Sequence, residues 1–449
     1  MYLDTRLKKI LRGMCFLLIL CFFVVKIQKI TSVDEFRSYL LLGGFYLEKK
    51  ESLDVVYIGS SNVYAFWTPS MAWSNHGLVS WSFSVPGLPS NAIKYLLIEA
   101  RKTQPTALFI ININTFIYDS HALHRTVDYL PWSLNKQRLI NRLTKDASIS
   151  GFAKLEYFFP VIRFHTRWSS LGAWVFKSPD NGLKGGLTVG HFLTRVKDIT
   201  KQYCITQAKS PPRVAQSNVL TDLLDYCDNE KVKVLFVTVP QSISPESCGA
   251  LNYMEDTIKQ RGYPVLNMMS KIEKTGIQTV TDFYDEYHTN IHGAIKFTEY
   301  LSHYLIEHYG FKDKRGQFGW ESWDKSVELY GKVINPWTLP LEREYMPRDY
   351  SLAAPSLNRL SVNNRDISVS WKAVKSAEGY EIYRKSPSEQ NNAWHLVKTV
   401  GAEVLAWLDT KLKAKAQYTY TVVPYRKENN KKLYGHFSFN GMTATTGGK

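Results

Sequence analysis

The sequence predicts an α/β domain built on a three-layer, doubly wound parallel sheet, with a transmembrane anchor before it and an all-β sandwich after it. Apolar strands that alternate with amphipathic helices between residues 31 and 330 predict the parallel sheet. Short alternating strands within residues 357–449 predict the sandwich. An apolar run within residues 1–30 predicts the anchor, and residues 331–356, rich in Pro and charges, are expected to be a linker. A length of 449 residues suits two or three domains.

The N-terminus has the pattern of a membrane anchor. Four basic residues stand among the first twelve, directly before the apolar run Gly13–Val25. Positive charges on that side keep the N-terminus in the cytoplasm and export the rest of the chain. Extended to Ile10–Ile30, the segment reaches the roughly 20 residues that a membrane span needs. Its end lacks the small residues of a cleavage site, which favours an uncleaved, single-pass signal anchor over a cleaved signal peptide or a buried helix.

The charge balance points to an anionic partner. Lys and Arg number 56 against 40 Asp and Glu, a formal net charge of +16. Residues 357–449 alone carry 15 of the basic and 7 of the acidic residues. An exported basic protein suits an anionic cell-surface polymer or a lipid surface, although a merely solvated surface has the same composition. The sequence contains no nucleic-acid-binding motif, and export argues against that partner.

Cysteines are few and do not form a scaffold. Cys15 and Cys21 lie in the apolar run, which leaves Cys204, Cys227 and Cys248 for at most one disulfide and a spare thiol. Their spacing excludes a disulfide-rich module and a cysteine-based zinc site. Few cysteines in an exported protein suit a Gram-positive cell surface.

The α/β domain is predicted from a series of strands and helices. In chain order they are strand Leu53–Ile58, helix Asn91–Lys102, strand Ala107–Ile113, strand Val232–Val239, helix Leu251–Arg261, strand Tyr263–Met268 and helix Gly293–Tyr309. A long insertion, about residues 118–219, separates the second of these strands from the third. Insertions of this length are usually functional, so we expect a lid or an acceptor-binding region there.

The C-terminal strands carry a resemblance to a known module. They are predicted at Ile367–Trp371, Gly379–Tyr383, Trp394–Val400 and Tyr418–Tyr425. The early Trp371, the Gly-Tyr-Glu-Ile-Tyr-Arg strand and the Tyr-x-Tyr-x-Val strand are characteristic positions. On these features the segment resembles a fibronectin type III domain.

Two short segments carry candidate chemistry. Ser61 follows Gly59 at the end of the first predicted strand, where ligands of an open parallel sheet bind. Asp285 stands three residues before His288, a spacing that lets a carboxylate orient an imidazole within one turn. Each segment alone is better explained by helix capping than by catalysis. Asp285, His288 and His292 also allow a metal chelate, because the two histidines are one helical turn apart.

Together these segments resemble the SGNH/GDSL hydrolase superfamily. The resemblance rests on the strand-Gly-x-Ser start, the late Asp-x-x-His and the continuation from His288 to Thr298. It implies a flavodoxin-like fold in which Ser61 is the nucleophile, His288 the general base and Asp285 its orienter. The family's oxyanion hole would be formed here by the main chain of Gly87 and the side chain of Asn114.

Two blocks depart from the usual pattern of the superfamily. The first reads Gly-Ser-Ser-Asn at residues 59–62 rather than Gly-Asp-Ser. The block that supplies the oxyanion amide reads Asn-Ile-Asn, so Asn112 is a weaker alternative to Asn114. Losing an oxyanion donor costs on the order of 10²–10³ in rate, so this block bears directly on activity.

The Gly-Ser-Ser form is more similar to one branch, the membrane-anchored teichoic-acid D-alanyl-transfer proteins (DltD-type). The insertion's Phe-His-Thr-Arg-Trp segment is similar to that branch too, and its His165 and Arg167 are candidate acceptor-binding residues. The resemblance implies a glycopolymer substrate and a membrane acyltransferase as a partner. The appended sandwich is not part of the standard D-alanyl-transfer protein.

The expected function is that of a membrane-anchored, extracellular serine esterase or O-acyltransferase, which acts on acyl esters of a cell-surface glycopolymer. No metal or organic cofactor is expected for a serine-based acyl transfer. The alternative is a non-catalytic cell-wall binding or assembly protein with a degenerate SGNH core. The sequence leaves open the acyl group, the choice between hydrolysis and transfer, and the oligomeric state.

Overall fold

A parallel sheet of five strands lies at the centre of the α/β domain. The structure is a computed structural model that describes residues 5–31, 36–119, 122–170, 172–176, 178–187, 195–203, 205–344, 346–389 and 392–448. The strands are β1 (Val55–Gly59), β2 (Ser80–Ser84), β3 (Leu108–Asn112), β4 (Val234–Thr238) and β5 (Val265–Asn267). Their order is β2-β1-β3-β4-β5 and every neighbouring pair is parallel. The predicted α/β class and its parallel sheet are confirmed.

Helices cover both faces of this sheet. The α-helices along the described chain are α1 (Thr5–Thr31), α2 (Phe36–Ser38), α3 (Ser61–Phe66), α4 (Pro69–His76), α5 (Ile93–Arg101), α6 (Leu123–Val127), α7 (Leu134–Asp146), α8 (Gly151–Phe158), α9 (Pro160–Phe164), α10 (Val214–Asn229), α11 (Pro245–Gln260), α12 (Ile272–Thr275), α13 (Ile291–Tyr309), α14 (Glu321–Ile334) and α15 (Pro340–Arg343). Alternate residues of a strand point to opposite faces, so each strand contributes to two apolar cores. In β1, Ile58 packs into the core that contains α5, α10 and α11, whereas Tyr57 packs into the core that contains α3 and α13.

The expected insertion and linker both contain helices. The insertion at 118–219 holds helices α6 to α9, and Arg163 of α9 bonds to Asp128 beyond α6. In the segment expected as a linker, α14 continues past residue 330 and α15 follows it. Ile334, the last residue of α14, is buried in a cluster with Met71 of α4 and Ile291 of α13. This segment therefore packs on the α/β domain.

The C-terminal part is a sandwich of two antiparallel sheets. Its strands are β6 (Ser361–Asn363), β7 (Asp366–Ser370), β8 (Gly379–Lys385), β9 (His395–Gly401), β10 (Ala406–Asp409), β11 (Gln417–Glu428), β12 (Lys431–Tyr434) and β13 (Met442–Thr445). One sheet has the order β10-β7-β6, and the other has the order β12-β11-β8-β9 with β13 paired to β11. Trp371 and Tyr380 meet edge to face in the core between them.

The N-terminal helix α1 is long and apolar enough to cross a bilayer. The stretch Arg6–Gln28 has 23 residues, none of them buried, and its 18-residue apolar window has a mean hydropathy of 2.4. A membrane anchor and a signal sequence share these properties. Near its end, the Gln28 side chain donates to the main-chain oxygen of Phe158, 3.2 Å away, which links α1 to the insertion.

Candidate active site

The carboxyl ends of the parallel strands place the two candidate segments side by side. Ser61 is the first residue of α3, two residues after the end of β1. His288 lies in a tight loop closed by an antiparallel bridge between Phe283 and Thr289. The Thr289 hydroxyl donates to the main-chain oxygen of Ala65 at 2.6 Å, so the loop is fastened to the helix that begins with Ser61.

Ser61, His288 and Asp285 form one chain of hydrogen bonds. Ser61 Oγ lies 2.8 Å from His288 Nε2. On the other side of the ring, His288 Nδ1 lies 2.9 Å from each carboxylate oxygen of Asp285. A hydroxyl that bonds to an imidazole, itself held by a carboxylate, is the arrangement that activates a serine nucleophile.

His288 and two main-chain N–H groups together hold the Asp285 carboxylate in its charged form. Its Oδ1 accepts hydrogen bonds from the N–H groups of Tyr287, at 2.8 Å, and His288, at 2.9 Å. Burial alone would raise the pKa of Asp285, but the hydrogen bond and charge of His288 and these two N–H groups outweigh it and lower the pKa below its usual value. The ionised carboxylate keeps a proton on Nδ1, which leaves Nε2 free to accept the Ser61 proton.

The start of α13 fixes the end of this loop. Asn290 caps the helix by accepting from the N–H groups of His292 and Gly293. A Cβ atom added at Gly293 would lie 2.4 Å from the main-chain oxygen of Asp282. Only glycine fits this close approach, which explains the glycine at position 293.

The chelate considered for Asp285, His288 and His292 is not formed. His288 faces Ser61 and Asp285, as described above. His292 Nδ1 instead bonds to Glu342 Oε1 at 2.7 Å, and its ring stacks on Phe439 with centroids 3.6 Å apart. His292 therefore joins the α/β domain to α15 and to the sandwich.

The three oxyanion candidates differ in how they are held. Gly87 follows β2 with a φ of +68°, a conformation that favours glycine. Asn114 is buried, and its amide donates to the main-chain oxygen of Val239 at 3.1 Å and accepts from the Val239 N–H at 2.8 Å. Asn112 is also buried, but neither polar atom of its side chain has a hydrogen-bond partner among the described residues. The Asn114 amide is thus held by the main chain of Val239 through one of its N–H groups and its oxygen. The oxyanion roles of Gly87, Asn112 and Asn114 stay predictions.

Substituting each asparagine separately tests which amide serves. We expect Asn114→Ala to lower kcat/KM for ester cleavage by about 10²–10³-fold, because a fixed donor to the developing oxyanion is lost. Asn112→Ala should stay within about tenfold of wild type. Steady-state kinetics with a chromogenic ester measures both, and thermal unfolding of each variant identifies any loss of folded protein. The reverse ranking would assign the donor role to Asn112.

The turn at Ser61 is also held by residues that the sequence analysis did not single out. The Ser60 N–H donates to Thr115 Oγ1 at 3.2 Å, and the Asn62 side chain donates to Gln241 Oε1 at 2.7 Å. Gln241 follows β4 at the same edge of the sheet and is fully buried. Its position after a predicted strand was the available signal, because ligand-facing residues gather at that edge.

The insertion residues His165 and Arg167 have local contacts. His165 Nδ1 lies 2.7 Å from the main-chain oxygen of Ile162, one turn earlier in the chain. The Arg167 guanidinium lies 4.8 Å from the centroid of the Phe164 ring. These contacts place both residues at the end of α9 and leave their acceptor-binding role a prediction.

A cleft of about 790 Å³ opens beside the triad. Tyr287, the residue before His288, lines this cleft together with Tyr118. The two rings meet edge to face, with centroids 5.8 Å apart. Lys201 and Ser242 supply polar groups on its wall. Such a cleft offers aromatic faces and a cation beside the loop that carries His288.

Comparisons with known proteins give partial structural matches. No protein-family model and no curated protein matches the chain. Among solved structures, the fn3 domain of human contactin 1 is 23% identical, covers 23% of this chain and 84% of that chain, and has a TM-score of 0.20. The FN5 domain of Drosophila Lar is 21% identical over 22% of this chain and 99% of that chain, with a TM-score of 0.17.

A β-1,2-glucanase from Parabacteroides distasonis also matches a short part. It is 19% identical and covers 23% of this chain, with a TM-score of 0.19, and the chain spans 14% of that enzyme. Fibronectin type III domains are thus among the structures that this chain is similar to over about a fifth of its length.

Proposed function

We propose that the protein is a serine esterase or O-acyltransferase of SGNH type, membrane-anchored and exported, with a fibronectin type III-like C-terminal domain. Its substrates are acyl esters of an anionic cell-surface glycopolymer. The observation that carries this proposal is the unbroken hydrogen-bond chain from Ser61 Oγ through His288 to Asp285. This chain supplies a nucleophile, a base and an orienting carboxylate in one place.

In the proposed reaction, Ser61 Oγ attacks the ester carbonyl while His288 Nε2 takes its proton. The N–H groups of Ser61 and Gly87 and the amide of Asn114 stabilise the negative charge on the carbonyl oxygen. The intermediate collapses, the C–O bond to the alcohol breaks, and His288 returns the proton to the leaving oxygen. Asp285 stabilises the imidazolium between these steps.

The acyl-enzyme is resolved by a second hydroxyl. Water, or a hydroxyl of the polymer, attacks the acyl carbonyl while His288 takes the proton of the attacking oxygen. The bond to Ser61 Oγ then breaks, and His288 protonates the serine. The choice between hydrolysis and transfer depends on which hydroxyl occupies the cleft.

The cleft and the charge support a sugar-rich, anionic acceptor. Tyr118 and Tyr287 offer aromatic surfaces next to His288, and Lys201 offers a positive charge on the same cleft wall. The net charge of +16 favours a polyanion in the encounter step. His165 and Arg167 remain candidates for binding the acceptor from the insertion.

Exposed apolar side chains near α1 support anchorage at a membrane. Phe152, Leu155 and Phe159 recur at intervals of three and four residues on one face of α8 and just beyond it, with exposures of 69%, 40% and 42%. The neighbouring Phe158 accepts the hydrogen bond from Gln28 of α1. With α1 in the bilayer, this face would lie at the lipid surface, which supports the proposal of a membrane acyltransferase as acyl donor.

Replacing the orienting carboxylate tests the function. With the full chain in detergent, we expect wild type to cleave a panel of chromogenic acyl esters and Asp285→Asn to be about 10⁴-fold slower, because the imidazole loses its tautomer and its charge partner. Adding a polyol or a purified surface glycopolymer would separate transfer from hydrolysis through the acylated product. Folded wild-type protein as inactive as Asp285→Asn on every ester would favour the non-catalytic wall-binding alternative.

A further inference from the structure

A second cluster of reactive side chains lies between α4 and α13, away from the triad. His76 Nε2 lies 2.7 Å from Glu299 Oε1, and His303 Nε2 lies 3.0 Å from the same oxygen. One ligand atom from each of the three residues lies within 4.8 Å of the others. Two imidazole nitrogens and a carboxylate oxygen thus converge on one point.

Two helices position these three residues. Glu299 and His303 are four residues apart on α13 and share a face of that helix. His76 is the last residue of α4, where Gly77 ends the helix with a φ of +65°. Because both supports are helical, the donors are held in place without any ion.

The carboxylate is oriented by a further contact. The Asn75 side chain donates to Glu299 Oε2 at 3.0 Å, which leaves Oε1 directed at the two histidines. The Glu299 side chain is 11% exposed, whereas that of His303 is 54% exposed. The cluster therefore lies at the protein surface, with Glu299 as its buried member and His303 as its exposed one. Outer contacts such as that of Asn75 fix the ligands of metal sites.

We propose that His76, Glu299 and His303 bind a first-row divalent metal ion, with Zn²⁺ as the preferred ion. Two histidines and one glutamate are an established zinc ligand set, with bonds of about 2.0–2.2 Å and a fourth position open to water. Tetrahedral ligands at such bond lengths lie roughly 3.3 Å apart. From their present distances of 2.7 and 3.0 Å, the nitrogens of His76 and His303 would each have to move slightly away from Glu299 Oε1.

The ion would fasten α4 to α13. Glu299 lies eight residues into α13, about 12 Å along the axis from the start of the helix and from the His288 loop. A bound metal would therefore tie α4 to α13, the helix that follows the His288 loop and contacts α3. This proposal does not depend on the proposed function.

Metal titration of the full chain in detergent tests the site. The protein is freed of tags and metals and titrated with Zn²⁺ in competition with a chromophoric chelator. We expect one ion per chain in wild type and an affinity at least about tenfold weaker in His303→Ala. His308→Ala is the matched control, since His308 is an exposed histidine of α13 whose ring stacks on Tyr304. The Zn²⁺ affinity of this variant should equal that of wild type.

A spectroscopic readout keeps the test independent of stability. Co²⁺ in the wild-type site should give the visible absorption of a tetrahedral centre, which His303→Ala should lose and His308→Ala should keep. Absence of a saturable Zn²⁺ site in wild type, or equal affinity in His303→Ala and wild type, would overturn the proposal. In that case the cluster is a hydrogen-bonded group in which both histidines donate to Glu299.

Discussion

Ser61→Ala is expected to lower kcat/KM for ester cleavage by at least about 10⁴-fold. Removing the nucleophile of a serine enzyme leaves only the catalysis from binding and from the oxyanion donors. The hydroxyl that this substitution removes bonds to His288 Nε2. The loop that carries His288 keeps its separate hydrogen bond from Thr289 to Ala65. The fold should therefore survive, and steady-state kinetics on an acyl ester gives the result directly.

Ser60→Ala provides the matched control for this variant. Ser60 is the adjacent serine, and its main-chain N–H rather than its hydroxyl bonds to Thr115. Its removal should leave kcat/KM within about tenfold of wild type. If Ser61→Ala retained wild-type activity, or if both serine variants lost activity equally, Ser61 would not be the nucleophile.

Lys296→Met is expected to destabilise the protein by about 3–5 kcal/mol. Lys296 Nζ lies 2.7 Å from Asp282 Oδ2, and the two side chains are 6% and 0% exposed. Methionine fills a similar volume but leaves the Asp282 charge buried without its partner. The Asp282 carboxylate also accepts from the Gln278 N–H, and its main-chain oxygen accepts from the Asn290 N–H. Loss of the pair therefore loosens the segment that leads into the His288 loop.

Denaturant unfolding of the full chain measures this cost. The double variant Lys296→Met with Asp282→Asn should recover much of the lost stability, because no unpaired charge remains. Arg142→Ala, which breaks an exposed pair with Asp146, is the control and should change the stability by less than about 1 kcal/mol. A Lys296→Met variant as stable as wild type would show that this buried pair does not hold the segment.

Strands were predictable because their apolar runs are continuous, whereas helix starts depended on caps. The structure begins α11 at Pro245 rather than at Leu251, because Ser244 caps it and a proline fits its first position. Likewise α13 begins at Ile291, two residues earlier than predicted, because Asn290 caps it. In α11 and α13 the apolar periodicity starts later than the hydrogen bonding, so the starts predicted from periodicity are late for these two helices.

The triad candidates were readable from sequence because their signals are local. Ser61 stands at a strand end, and Asp285 stands one turn from His288. The Asn114–Val239 and Asn62–Gln241 contacts join residues 125 and 179 positions apart, so nothing in the local sequence announces them. The same holds for His76, which meets Glu299 across 223 positions. Long-range side-chain pairing depends on the register of the whole sheet and its helices.

Covalent labelling of the full chain with a fluorophosphonate probe tests the central claim most directly. The probe reacts with serines that a neighbouring base activates, and peptide mapping by mass spectrometry locates the adduct. The triad geometry predicts a single adduct on Ser61 in wild type and its loss in His288→Ala. Folded wild-type protein that carries no adduct on Ser61, or a Ser61 adduct that forms equally well in His288→Ala, would contradict the account.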